Sequence, residues 1–275
     1  MNWQKAKTFL IVYFIIINIA LLSYLVYSNS RAENSKMQVA QQVTQLLGNN
    51  NISIDKKLLT ENNYSSEMKN VYVYNVIKNY ESFAVRVLGE ESFREKENCF
   101  KNDNAYIYFE GDGFEIRANN LPLSKAEITK KNALKYAKEY LSTIGIEIKE
   151  AKTEISDISD GFGVVFSEYI GGFEIFGTKV TVEMKHDGIY GVYGNWYNHK
   201  SRDNNKIGVK DTAGVMIEYM NLKEDMRIPE KISDIRLGYS VFESENFHES
   251  VLLTPVWKIT NETGKIEYID AREAD

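Results

Sequence analysis

An uncharged apolar run constrains this chain more than any other feature of its sequence. It extends from Phe9 to Tyr27, 19 residues in which Asn18 and Ser23 are the strongest polar interruptions. As a helix, a run of this length would reach roughly 28 Å, close to the hydrocarbon thickness of a bilayer. The apolar region of a cleaved signal peptide is shorter, about 7–15 residues, and no cysteine follows for lipid attachment. The run therefore predicts an uncleaved transmembrane helix over residues 9–27.

The distribution of charge predicts an orientation for this helix and excludes one class of partner. Lys5 and Lys7 precede the run, and short basic N-termini tend to stay in the cytoplasm. Residues 1–8 are therefore predicted to be cytoplasmic, with the C-terminal domain on the extracytoplasmic side of the cell membrane. The whole chain has a net charge of −6, and residues 1–36 carry +3, which leaves −9 for residues 37–275. Because an acidic domain repels nucleic acid, we expect no nucleic-acid partner.

The sequence after the apolar run alternates between helical and strand patterns. Residues 28–48 are predicted to continue the helix outward as a stalk. A strand-rich N-terminal α+β unit follows over residues 49–122. Its predicted strands include residues 82–89, and its hairpin turns at Asp112-Gly113.

Two further units each begin with a helix and continue as strands joined by tight turns. Ser124 and Glu127 form a capping box at the start of the first helix, and residues 211–222 form the second helix. The units extend over residues 123–200 and 206–275. The sequence thus predicts an α+β fold, in which helix-plus-antiparallel-sheet units follow the transmembrane helix and the last two units form a structural repeat.

The chain carries no known catalytic or metal-binding pattern. Its three histidines are far apart, and no zinc motif, nucleophile elbow, P-loop or dinucleotide fingerprint is present. Asp157 and Asp160 could be paired carboxylates or part of a calcium loop. The ligand ladder and closing Glu of such a loop are missing, which favours a solvated turn. We therefore expect neither enzyme activity nor a cofactor.

Aromatic residues in the second half of the chain offer a candidate binding surface. Phe173, Tyr190 and Trp196 lie in neighbouring predicted strands, and aromatic platforms bind sugars or peptides. In antiparallel sheets, however, such residues are more often core residues or cross-strand pairs. Both interpretations stay open at this stage.

The first 22 residues resemble the start of the YycI family, membrane-anchored regulators of low-GC Gram-positive bacteria. Its members begin with Met, an acidic or amide residue and Trp. A Lys-Thr pair then leads into an aliphatic helix with a polar residue near its middle. Trp3, Lys7, Thr8 and Asn18 match this description.

Two other segments are similar to the same family. Residues 255–271 resemble its closing hairpin and that of the sister family YycH. Residues 168–196 resemble the repeated unit of both families and, more distantly, PepSY-type modules. The resemblance therefore spans nearly the whole chain.

The resemblance implies a non-enzymatic regulatory subunit of a two-component signalling system. YycI and YycH associate with an essential cell-wall-sensing membrane histidine kinase, through their membrane helices as well as their outer domains. This chain is then expected to bind such a kinase and a YycH-like sister protein, and to bias kinase activity in cell-wall homeostasis. The alternatives are an extracytoplasmic binding module for a wall fragment or peptide, and a PepSY-like protein that restrains a peptidase.

Asn18 is the strongest candidate for a contact with a partner helix, together with Phe14 and Ser23. An amide inside hydrocarbon requires a hydrogen-bonding partner, and interhelical bonds of this kind contribute roughly 0.6–2 kcal/mol. Asn18 could instead bond to its own helix or face lipid. The resemblance favours the partner helix.

Overall fold

Strands dominate the structure, a computed structural model that describes residues 3–60, 67–77, 79–121, 127–223, 227–241 and 250–273. Strands account for 46% of the residues and helices for 32%, so the fold is mostly sheet. The helices are α1 (Trp3–Asn49), α2 (Lys56–Thr60), α3 (Tyr80–Leu88), α4 (Lys130–Thr143) and α5 (Thr212–Leu222). The strands are β1 (Ile52–Ile54), β2 (Glu67–Asn75), β3 (Phe93–Lys96), β4 (Cys99–Lys101), β5 (Ala105–Glu110), β6 (Gly113–Leu121), β7 (Ala151–Ile158), β8 (Gly161–Ile170), β9 (Phe173–Lys185), β10 (Gly188–Gly194), β11 (Tyr197–Gly208), β12 (Glu230–Ser240), β13 (Val251–Asn261) and β14 (Ile266–Asp270).

The predicted transmembrane helix over residues 9–27 requires correction. Among the residues that the structure describes, no helix is long and apolar enough to cross a membrane. The apolar run is only one part of α1, which begins at Trp3. Helix α1 also continues without a break through polar residues to Asn49. Residues 28–48 are predicted as a stalk that continues the helix, and α1 extends through these residues.

Strand pairing also departs from the predicted succession of helix-plus-sheet units. β9 belongs to the predicted unit 123–200 and β12 to the predicted unit 206–275, yet the two strands are parallel neighbours, with Gly238 opposite Glu174. β2, from the predicted N-terminal unit, pairs with both β11 and β13. The predicted fold is wrong in this respect because local periodicity identifies strands but does not determine which strands pair over long sequence distances.

The chain divides into two compact units. The first unit comprises Met1–Tyr64, Asp211–Arg236 and Ile259–Ile269, and the second comprises Ser65–Lys210, Leu237–Lys258 and Asp270–Asp275.

The first unit is built around the C-terminal part of α1, which contacts β1, α2 and α5. β1 pairs in parallel with the start of β12. α5 begins after Asp211, whose carboxylate accepts the backbone N–H of Gly214 at 2.8 Å and so caps the helix. The buried side chains of this unit include Val43, Leu47, Ile52, Leu59, Val215, Met216, Tyr219 and Ile232.

The second unit is a large sheet covered by two helices. Together with the parts of β12 and β13 that it contains, its strands follow the order β11-β2-β13-β12-β9-β10-β6-β5-β4-β3, with β8 on the other edge of β9 and β7 beside β8. The core contains buried residues of α3 and α4 and the inward residues of the strands, among them Phe83, Ala137, Leu141, Ile107, Phe109, Ile116, Phe166 and Val182. The alternation along β5 places Tyr106, Tyr108 and Glu110 on the opposite, solvent-facing side.

Residues 82–89, predicted as a strand, lie in helix α3 and at its C-terminal cap. The side chain of Asn79 accepts the backbone N–H of Ser82 at 3.0 Å and caps the N-terminus. Gly89 ends the helix with a φ of 90°, where its N–H donates to the carbonyl of Val85 at 2.8 Å. These caps outweigh the strand preference of the aromatic and β-branched residues between them.

Helix α4 begins later than predicted. Its N-cap is Thr129, whose backbone N–H donates to the Asn132 side chain at 2.6 Å. Ser124 of the predicted capping box lies outside the described residues.

Candidate functional site

The most exposed apolar surface of the described chain lies on α1. Large apolar side chains between residues 13 and 27 are exposed, from 38% at Ile17 to 68% at Tyr24. Successive helical residues are about 100° apart, so the run Phe14–Ile17 covers most of the circumference. Monomeric proteins rarely expose contiguous apolar patches larger than a few hundred Å². A surface of this kind, hereafter the apolar collar, is typical of sites that contact another protein or a membrane.

The predicted partner-contact residues lie on the apolar collar. Phe14 and Ser23 are exposed, and Asn18 is exposed as well. The Asn18 side-chain amide donates to the backbone carbonyl of Phe14 at 2.8 Å, one turn back along the same helix. This bond matches the alternative in which the Asn18 side chain bonds to the backbone of its own helix. A contact between Asn18 and a partner stays a prediction.

The family motif lies at the start of α1. Lys7 is exposed. Trp3 and Thr8 belong to the same helix, but their side chains lie outside the described residues. Any partner contact by these two residues therefore stays a prediction.

The three residues of the predicted aromatic surface lie in separate parts of the second unit. Trp196 is 1% exposed and belongs to the core of the second unit. Phe173 begins β9 and packs edge-on against Tyr239, with ring centroids 6.1 Å apart. Tyr190 lies at the opposite end of β9, where β10 pairs with it, and the Lys185 ammonium is 4.6 Å from its ring centroid. The three residues thus do not form one face.

The two aspartates of the 157–160 turn are held apart by separate lysines. Asp157 pairs with Lys130 at 2.8 Å, and Asp160 pairs with Lys185 at 2.9 Å. The Lys185 hydrogen bond lowers the pKa of Asp160 below its usual value. Within the described ranges, no group of three or more His, Cys, Asp or Glu side chains is placed to hold a metal ion.

Glu168 is a buried carboxyl in the second unit. It lies in β8 beside a bulge, on the same side as the core residues Phe166 and Ile170, and is 4% exposed. The backbone N–H of Tyr197 donates to its Oε2 at 3.3 Å. Burial raises the pKa of Glu168 to about 8, and the hydrogen bond from Tyr197 offsets only part of this effect. The carboxyl therefore keeps its proton at neutral pH.

Glu230 is a nearly buried carboxylate in the first unit. Its Oε2 pairs with the Lys223 ammonium, and the two side chains are 10% and 14% exposed. Its Oε1 accepts the Asn261 amide at 2.7 Å, and the Tyr219 hydroxyl also hydrogen-bonds to this carboxylate. Burial alone would raise the pKa of Glu230, but the hydrogen bonds from Lys223, Asn261 and Tyr219 outweigh it and lower the pKa. Glu230 is therefore a charged group held by donors from three sides.

A cleft of about 290 Å³ lies at the β5–β6 hairpin of the second unit, hereafter the hairpin cleft. Its charged and aromatic lining consists of Tyr108, Glu110, Asp112, Phe114, Glu115, Lys179 and Tyr193. The Asp112 Oδ2 accepts the Tyr197 hydroxyl at 2.7 Å and the Asn195 amide at 3.1 Å. The backbone carbonyl of Asp112 accepts the buried Asn75 amide at 2.8 Å. The turn is therefore fixed, and the cleft is formed before any ligand arrives.

Sequence reasoning missed both the buried carboxyls and the hairpin cleft. The alternation in β8 could have identified Glu168, because it places this residue in register with Val164, Phe166 and Ile170. The same alternation in β5 places Tyr106 and Tyr108 opposite Ile107 and Phe109. The Lys223–Glu230 pair has no comparable local signal, since it depends on how the end of α5 meets β12.

No protein-family model matches the chain, and no curated protein matches it. Among solved structures, an uncharacterized protein from Eubacterium rectale ATCC 33656 is 11% identical with a TM-score of 0.46, and the alignment covers 82% of this chain and 89% of that one. The Bacillus megaterium YpeB C-terminal domain is 11% identical with a TM-score of 0.29, and the alignment covers 70% and 91% respectively. Because both TM-scores lie below 0.5, we infer nothing about function from these structural similarities. None of them supports the YycI family in particular.

Proposed function

We propose that the chain is a non-enzymatic regulatory subunit that binds other proteins through the apolar collar of α1. The observation that carries this proposal is the exposure of apolar side chains around the whole helix between residues 13 and 27. Fully burying one Leu, Ile or Phe side chain contributes about 1.5–3 kcal/mol. Several such side chains can therefore drive a stable association.

The shape of the apolar collar restricts the partner. A single groove covers one side of a helix, whereas Phe14–Ile17 present apolar side chains in nearly every direction. At least two apolar helices are needed to surround it. Helices of a membrane histidine kinase and of a sister regulator would meet this need together, and the resemblance to YycI supports that choice. These proposed partners imply a location at the cell membrane.

Site-directed photo-crosslinking in cells tests the proposal. A photoreactive residue replaces Phe14 or Leu22 in the full chain, co-expressed with a membrane histidine kinase and a YycH-like protein from the same genome. Met37 is the matched control, because it is equally exposed on α1 but lies outside the apolar collar. We expect crosslinks to the kinase or the sister protein from positions 14 and 22, and none from position 37.

The same assay tests the role of Asn18. If its amide reaches a partner, Asn18→Leu reduces the crosslink yield from position 14. If the bond to Phe14 is its whole role, the yield is unchanged. Crosslinks from positions 14 and 22 that reach only other copies of the chain, or that match position 37, would overturn the regulatory proposal.

A second candidate function is the binding of a peptide or wall fragment, as a PepSY-like module would bind it. The observation that favours it is the hairpin cleft, which is preformed and lined by aromatic and carboxylate side chains. Isothermal titration of the full chain with wall fragments and short peptides tests it, and a saturable heat is expected for one of the two classes. The absence of heat with both classes contradicts this candidate.

A further inference from the structure

Glycines form part of the lining of the hairpin cleft. Gly113, Gly177 and Gly194 line it together with the residues named above. Gly194 has a φ of 133°, and a Cβ atom added there would lie 2.0 Å from the carbonyl oxygen of Lys179. Any other residue at position 194 would therefore displace the backbone. Gly194 therefore permits a close backbone approach to Lys179 beside the cleft, whose aromatic walls include Tyr108 and Tyr193.

The walls of the cleft are suited to a cation. The Tyr108 residue is 43% exposed on the solvent-facing side of β5. The Tyr193 ring already lies below a cation, because the Arg117 guanidinium is 5.3 Å from its centroid. Cations within about 6 Å of an aromatic face are attracted by the ring quadrupole. A second cation, supplied by a ligand, could occupy the cleft beside Tyr108.

The rim of the cleft carries excess negative charge. Glu110, Asp112 and Glu115 line it, opposed by Lys179. Glu115 is partly neutralised by Arg117, whose Nε lies 2.7 Å from its Oε1. The Tyr197 and Asn195 donors hold the Asp112 carboxylate in place. The three carboxylates outnumber the two cations, Lys179 and Arg117, by one, so the rim attracts an incoming cation.

From these three features we infer that the hairpin cleft binds a Lys or Arg side chain of an extended basic peptide. The inference rests on the second candidate function and gives it a ligand class. A volume of about 290 Å³ accommodates one long side chain and adjoining backbone, and is too small for a folded element. The negative rim disfavours acidic peptides and anionic wall polymers.

Isothermal titration of the full chain tests the inference. The probe is acetyl-Gly-Lys-Gly-Lys-Gly-amide, and the control peptide has norleucine in place of each Lys. Tyr108→Ala removes one aromatic ring from the wall of the cleft, and Glu110→Gln removes one negative charge from its rim. Tyr106→Ala is the matched control variant, because Tyr106 is equally exposed on the same side of β5 but does not line the cleft.

We expect saturable binding of the lysine peptide that weakens as salt increases. Tyr108→Ala and Glu110→Gln should each reduce its affinity by about threefold to fivefold. Tyr106→Ala should leave the affinity unchanged, and the norleucine peptide should not bind. Equal binding of the norleucine peptide, or an equal loss with Tyr106→Ala, would overturn the inference.

The absence of lysine-peptide binding would overturn the inference as well. It would leave the second candidate function standing if a wall fragment or a non-basic peptide still gave a saturable heat. Crosslinking from the apolar collar is a separate measurement, so its failure can be distinguished from the failure of peptide binding.

Discussion

Each unit of the chain contains a glutamate with little exposure to solvent, Glu230 and Glu168, and the two are accommodated in opposite ways. Glu230 in the first unit keeps its charge because Lys223, Asn261 and Tyr219 all donate to it. Glu168 in the second unit accepts a hydrogen bond from the backbone N–H of Tyr197. Burial has the larger effect on this carboxyl group and raises its pKa to about 8. Burial alone therefore does not determine the charge of a carboxyl group. The number and kind of hydrogen-bond donors around the group also decide whether it stays ionised.

The largest expected effect is the pH dependence of the second unit. The folded pKa of Glu168 is raised from 4.5 to about 8, so the folded state binds more protons than the unfolded state between these values. The free energy of unfolding therefore falls as pH rises through this window. The loss between pH 5 and pH 8 should be roughly 3–4 kcal/mol. Urea unfolding at a series of pH values, followed by fluorescence of the buried Trp196 and Trp257, measures it.

Glu168→Gln is the control for this prediction, because the amide has the shape of the protonated acid and does not titrate. The variant should lose the slope between pH 5 and pH 8, and above pH 8 it should be more stable than the natural chain. An unchanged slope in Glu168→Gln would show that other groups cause the pH dependence.

The second largest effect is expected from removing the cation beside Glu230. Lys223→Met leaves a buried carboxylate without its ion pair, and breaking such pairs costs about 3 kcal/mol or more. Hydrogen exchange of the α5 and β12 amides should increase, whereas exchange in β8 should be unaffected. The double variant Lys223→Met with Glu230→Gln removes the charge as well and should recover most of the loss. If the double variant is as unstable as the single one, the lost interaction is packing rather than charge.

The opposite pKa shifts also predict opposite pH limits for the two units. The pKa of Glu230 is lowered, so its contribution is present above its unfolded pKa and is lost as pH falls through the folded value. The α5 and β12 amides should therefore lose protection at acidic pH, while the β8 amides lose it as pH rises toward 8. Loss of protection in both units at the same pH limit would contradict the comparison.

The sequence predicted the local elements of the fold better than its long-range arrangement. The hairpin at Asp112-Gly113 and the helix over 211–222 were predictable because each depends on neighbouring residues, a tight turn in one case and helical spacing in the other. Helix α3 was mispredicted because the cap at Asn79 lies before the window that was assigned as a strand. The neighbours of Glu230 come from α5, β12 and β13, so no local pattern contains them.

Removing one donor from Glu230 should have an intermediate effect. Tyr219→Phe deletes the hydroxyl that hydrogen-bonds to the carboxylate, while the buried ring stays in place. Hydrogen bonds to charged groups contribute about 1.5–3 kcal/mol, so a loss near the lower end is expected while Lys223 and Asn261 remain. Urea unfolding at neutral pH measures the loss. A loss as large as that of Lys223→Met would show that the donors do not contribute separately.

The smallest effect is expected at Tyr197, which provides separate contacts through its backbone and its side chain. Its N–H donates to Glu168, and its hydroxyl donates to Asp112 at the hairpin cleft. Tyr197→Phe removes the hydroxyl contacts with Asp112 and with the Asn75 side chain. Because Asp112 keeps the Asn195 amide, the expected loss of stability is about 1 kcal/mol. The slope between pH 5 and pH 8 should be unchanged, because the backbone donor to Glu168 is retained. A shifted pH window in this variant would mean that the hydroxyl also sets the environment of Glu168, and that the buried acid and the hairpin cleft act as one system.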